Sequence, residues 1–213
     1  MDGFVIEQSE EEIGRRIMRA LVPEVNALFE SKQDCIKNVV QHEVFVAILE
    51  SPTYTALQDG TLRYELGLLN PTERLTNILV EIGTNIEVDL EPVKFRGDAF
   101  LGGITVRAIK GDYSDILNLP DAIQMTEKGE ELYWLGWLLK GGKDVLIADY
   151  HVQFGQYKTS RTGGALMFKS GDWSLGQRQA QHAGTEGNNF ITRAIAGIQD
   201  KMGKKIIKCL ASA

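Results

Sequence analysis

The hydrophobic period of this chain changes partway along, and that change limits the folds open to it. Up to Gly83 the apolar residues recur three and four positions apart. One set is Ile13, Ile17, Ala20, Leu21, Val25 and Leu28; a second is Ile36, Val39, Val40, Val44, Ile48 and Leu49; a third is Leu75, Ile78, Leu79 and Ile82. That spacing draws a stripe down one side of a helix. From Asn85 to Phe95 the pattern alternates instead, with Ile86, Val88 and Leu90 against Glu87, Asp89 and Glu91. Alternation of period two marks a half-buried strand. Helices first, strands in the middle and a helix at the end is not a βαβ order. It predicts an α+β fold in which an antiparallel β-sheet packs with N-terminal helices and a C-terminal helix.

Local signals place the boundaries. Ser9-Glu10-Glu11-Glu12 reads as a capping box, with an acidic first turn that suits the positive end of the helix dipole. Pro23 falls inside the pattern that follows and is expected to kink or divide it, giving a helical hairpin or one long broken helix over the first 50 residues. Ser51-Pro52 ends that region, and residues 51–69 read as a connector with a turn at Asp59-Gly60. Asn70-Pro71 opens a helix that closes near Gly83. A second alternating run, Ile104 to Ile109, is flanked by Gly102-Gly103. Asp115 to Leu119 reads as a short turn and Ala122 to Met125 as a short strand. Glu130 to Lys140 is expected to be a helix stopped by Gly141-Gly142. Strands follow at Asp144 to Phe154 and Ala165 to Lys169, then an irregular region around Trp173. The terminal helix, Asn189 to Leu210, carries a stripe of Phe190, Ile191, Ala194, Ile195, Ile198, Met202, Ile206 and Leu210. Gly197 and Gly203 each weaken it by roughly 1 kcal/mol relative to alanine, so packing must hold it. The 213 residues read as a single α+β domain, with residues 1–50 as a helical N-terminal extension and 51–213 as the sheet-containing core.

A net charge of −6 argues against a surface built to grip nucleic-acid phosphates. It leaves room for a small basic face such as Arg161, Lys201, Lys204, Lys205 and Lys208. The N-terminus lacks a basic, then apolar, secretory pattern, and no window reaches the ~20 apolar residues that cross a bilayer. The expectation is a soluble chain made in a cytoplasm. Cys35 and Cys209 fit no metal-ligand spacing and read as two reduced, partly buried thiols.

Chemistry-bearing residues form no catalytic signature. His42, His151 and His182 lack the partner spacing of a zinc helix. His151 reads as a solvent-edge or interface residue and His182 as a structural loop residue. The acids Glu10 to Glu12 and Glu130-Glu131 read as helix-terminus charges, and Trp134 and Trp137 as core aromatics. No cofactor or metal is expected.

Several segments together resemble the neck, or tail-completion, proteins of tailed bacteriophages. They are Ser51-Pro52-Thr53-Tyr54, Gly60 to Leu68, Asp149 to Gly155 followed by Ser160-Arg161-Thr162-Gly163, and Ala183-Gly184-Thr185 leading to Asn189 to Ile195. The resemblance covers residues 51–69 and 130–210. It implies a non-enzymatic structural protein of the virion, assembled in the host cytoplasm. Such a protein forms a ring of six or twelve copies between the portal or connector of the head and the tail terminator or tail tube. DNA passes through the lumen without sequence specificity, and an acidic wall would let it slide. On this reading the interface candidates are His151, Arg161, Thr162, Thr185, Asn189 and Arg193. A tail terminator or tail-tube-associated subunit is the alternative position. Two readings from other classes compete: a small metal-dependent hydrolase using Asp112, Asp115, Asp149 and Asp172, and a ligand-binding module using Trp134, Trp137 and Tyr150.

Overall fold

The computed structural model describes residues 9–107, 110–142, 144, 147–175 and 181–212. A 40-residue helix, α1 (Glu10–Leu49), opens the chain. Ser9 caps it, its hydroxyl accepting the Glu12 amide at 3.2 Å. Pro23 does not divide it. The proline removes the hydrogen bond to the carbonyl of residue 19, but Arg19 and Pro23 both lie on an exposed face where water replaces the lost partner. One unbroken helix therefore stands where a hairpin or a broken helix was expected.

The 51–69 region is not a plain connector. It forms two short helices, α2 (Pro52–Gln58) and α3 (Thr61–Glu65). Ser51 ends one helix and starts the next, its hydroxyl accepting from the Tyr54 amide. Buried Tyr54, Leu57 and Leu62 explain why this stretch is ordered. The next helix, α4 (Pro71–Thr84), keeps the expected boundaries within a residue. Its Arg74 ties the segments before and after the helix together, donating to the carbonyls of Leu69 at 3.0 Å and Ile123 at 2.8 Å.

Among the described residues the strands form three separate two-stranded antiparallel ladders: β1 (Glu87–Arg96) with β2 (Ala99–Arg107), β3 (Gln124–Met125) with β4 (Glu131–Leu132), and β5 (Ile147–Phe154) with β6 (Ala165–Leu175). The α+β class stands, with three hairpins in place of one sheet. Between the first two hairpins lie a short helix, α5 (Ser114–Leu117), and a 3-10 turn at Pro120–Ala122. The Glu130–Lys140 helix begins later than expected, at Trp134 (α6, Trp134–Lys140). Glu131 and Leu132 pair instead with Met125 and Gln124, so Glu130 and Glu131 are not helix-terminus charges. The region around Trp173 is regular backbone within β6. The expected Ala108 and Ile109, Val145 and Leu146, and the N-terminal Met1 to Glu7 lie outside the described residues.

The terminal helix is α7 (Phe190–Ala211). It packs antiparallel on the C-terminal half of α1, where Cys35 and Cys209 are joined as a disulfide with their Cα atoms 6.3 Å apart. This corrects the expectation of two free thiols. A separation of 174 residues in sequence says nothing of distance once two helices pack side by side. The core lies where α1, α4, α6 and α7 meet, around Ile36, Val40, Ile82, Trp134, Leu138 and Ile191. Among the described residues no helix is long and apolar enough to cross a membrane.

Candidate assembly interface

At 1.5 Å per residue α1 is about 60 Å long. Its buried residues all lie between Ile36 and Ile48. The portion before Ile36, about 40 Å, has no fully buried residue and runs beyond the core as an arm. The β1–β2 hairpin is fastened along one side of it. A bulge sets Pro92 and Val93 against Gly102, freeing the amide and carbonyl of Val93 from the ladder. Pro92 has no amide to lose there. Gly102 takes φ +117°, and any Cβ on it would strike the Pro92 and Glu91 carbonyls. The freed Val93 groups are taken by Asn26, whose Oδ1 accepts the amide at 2.7 Å and whose Nδ2 donates to the carbonyl at 3.2 Å. Gln33 donates to the Val88 carbonyl, and Arg15 pairs with Asp98 at 2.8 Å. The other side of the arm exposes Ile17, Leu21 and Leu28, with Ile17 54% accessible.

A second surface is concave. A groove of about 690 Å³ opens between the β3–β4 and β5–β6 hairpins and α3. The foot of the β5–β6 hairpin sits on α3: Tyr64 meets Phe154 edge to face, and Gly164 lies so close to the Tyr64 ring that a side chain there would collide with it. Leu66, Leu132, Leu166 and Met167 give the groove an apolar lining. Glu127, Glu130 and Glu131 are exposed on its rim, with Lys128 and Arg161 as the opposing charges.

The interface candidates fall in three places. Arg161 and Thr162 line the groove, and Arg161 donates to the Met125 carbonyl at 3.1 Å, bridging the two hairpins. His151 stands on the outer part of the β5–β6 hairpin, stacked on Phe168 with centroids 5.5 Å apart. Thr185, Asn189 and Arg193 gather at the start of α7. Asn189 is fully buried and is not a surface group: its Oδ1 accepts the amides of Ile191 and Thr192 at 3.1 Å, and its Nδ2 donates to Tyr113 Oη at 2.6 Å. Tyr113 in turn donates to the Glu186 carbonyl. Thr185 is exposed, and its backbone bridges to Asn188. Arg193 is exposed and donates to Asn188 Oδ1.

The remaining polar clusters are structural in form. Glu43, buried on α1, is paired with Lys205 and with Lys201 of α7, and hydrogen bonds from these two lysines hold its pKa below the ordinary carboxylate value. His182 is buried with Thr53 Oγ1 3.0 Å from its Nδ1. Burial, with a smaller push from Arg193, lowers its pKa below 6.5. Trp134 and Trp137 are core residues whose indole N–H groups donate to the Asp121 and Asp144 carbonyls, while Tyr150 lines the groove. Asp112 accepts from the amide and hydroxyl of Ser114, which depresses its pKa. Asp115 lies nearby on α5 and Asp149 on β5; the Asp172 side chain is outside the described set. Among the described residues no three acids, histidines or cysteines converge as metal ligands.

Sequence reasoning passed over Ile207 and Glu127, and took the other two rim glutamates, Glu130 and Glu131, for helix-terminus charges. Ile207 is 66% exposed and lies off the α7 stripe. An isoleucine out of phase with its helix's own stripe was the available signal. Comparison of the chain with protein-family models, curated proteins and solved structures finds no match.

Proposed function

We propose that this chain is a structural protein of a tailed-phage neck, one subunit of a ring that joins the head's portal or connector to the tail and lets DNA pass. The α1 arm carries the reading. A helix that runs about 40 Å beyond its core with Ile17, Leu21 and Leu28 exposed gains little as a monomer feature. It gains a reason if a neighbouring subunit covers it. Among the described residues three hairpins do not merge into one sheet, and their strand edges are the kind an assembly unit would use. The net charge of −6 suits a wall along which DNA slides. The reading assigns the chain no catalytic step.

The test is mass by light scattering behind a sizing column, followed by negative-stain imaging, with the protein alone and with DNA-filled heads lacking tails. Closed annular particles of fixed copy number, in solution or at the head vertex, are expected. A monomer that heads do not recruit would sink the reading.

A further inference from the structure

The outward face of α7 and the groove between the hairpins are complementary surfaces on one molecule. Helical spacing sets Lys204, Ile207 and Lys208 on the side of α7 turned away from α1. All three are exposed, whereas Lys201 and Lys205 are turned to Glu43. Ile207, at 66% accessible, is the most exposed of the large apolar side chains on the described surface. The α7 patch is thus one apolar projection between two cations. The groove is its counterpart, an apolar concavity with Glu127, Glu130 and Glu131 on the rim. Lys128 and Arg161 are opposing cations on the same lining, so the three rim glutamates leave it only modestly acidic; the Arg161 guanidinium is held on the Met125 carbonyl and keeps its charge.

We infer that the groove receives the outward face of α7 from a second copy of this chain, with Ile207 entering the apolar floor and Lys204 and Lys208 meeting the rim glutamates. The two patches belong to different elements, so the contact is head to tail. Contacts of that kind propagate from subunit to subunit and close into a ring when the rotation allows. The inference rests on the ring reading and gives it a specific joint.

Charge exchange tests it. Three full-length proteins are compared with the unaltered one by sedimentation velocity: E127K/E130K/E131K, K204E/K208E, and the protein carrying all five changes. Every altered residue is exposed, and circular dichroism and thermal melts are run to check that each variant folds. Each partial set places like charges together and is expected to weaken association at least about tenfold. The five-change protein restores opposite charges with the signs reversed and is expected to regain the association. I207E alone is expected to weaken association as well. An unaltered protein that stays monomeric at ~100 μM overturns the inference. Oligomers that ignore both partial sets overturn it too, and leave the ring reading standing. Association that follows the charge pattern but yields only open chains in negative stain supports this joint and counts against the closed ring.

Discussion

At the scale of single residues, two buried polar side chains decide how the C-terminal region is held. Asn189 satisfies the first amides of α7 and also reaches Tyr113 on the segment before α5, so it is a cap and a tie at once. Asn189→Ala leaves both amides and Tyr113 short of partners. It is expected to cost about 2 kcal/mol, the upper part of the range for lost caps, read as a lower urea midpoint with an unchanged slope. His182 supplies a pH dependence. Its folded pKa lies below 6.5 because burial and Arg193 disfavour the charged ring. The neutral ring fits the fold, so its contribution is fully present above about pH 6.5. As the pH falls below that, the unfolded chain takes up the proton first and stability declines until the folded ring also titrates. Urea midpoints measured from pH 7.5 to pH 5 should fall for the unaltered protein, and that part of the fall should vanish in His182→Gln.

At the scale of elements, most helices and strands were legible because their patterns are local. The stripe of residues 75–82 and the alternation of residues 86–91 became α4 and β1 almost as written. The misreadings share a cause, which is that tertiary context settled them. Pro23 broke nothing because its face is solvated; residues 52–65 became helical because Tyr54, Leu57 and Leu62 had a core to enter; Glu131 joined a strand because Met125 stood opposite. The candidate site was less legible. Its groove is assembled from α3 and parts of two hairpins far apart in sequence, and no local pattern announces that meeting. The Cys35–Cys209 bond was hidden for the same reason. Closing a loop of 174 residues stabilises by up to roughly 5 kcal/mol in the chain-entropy view. Reduction with dithiothreitol should therefore lower the urea midpoint by up to roughly 2 M. A midpoint indifferent to reductant would mean that the paired and unpaired helices are equally stable. In a reducing cytoplasm the bond is not maintained. There α1 and α7 are joined by apolar packing and the Glu43 pairs with Lys201 and Lys205.

At the scale of the whole molecule, the exposed side of the arm is energetically separate from the core. Ile17, Leu21 and Leu28 lie on the arm's exposed side, while the fully buried residues of α1 begin at Ile36. I17E/L21E/L28E should therefore leave the monomer's melting free energy within about 1 kcal/mol, whereas Ile36→Ala should cost roughly 2 to 5 kcal/mol. The same triple change should abolish particles larger than the monomer in light scattering; undiminished particles would show that the arm does not hold subunits together. The separation has a further consequence when the Cys35–Cys209 bond is present. That bond lies where the arm leaves the core. A pull on the arm would reach it before loading the helices packed behind, and would pass through a covalent link into α7. The arm would then act as a tether whose load is shared at its root between two helices, α1 through its backbone and α7 through the disulfide.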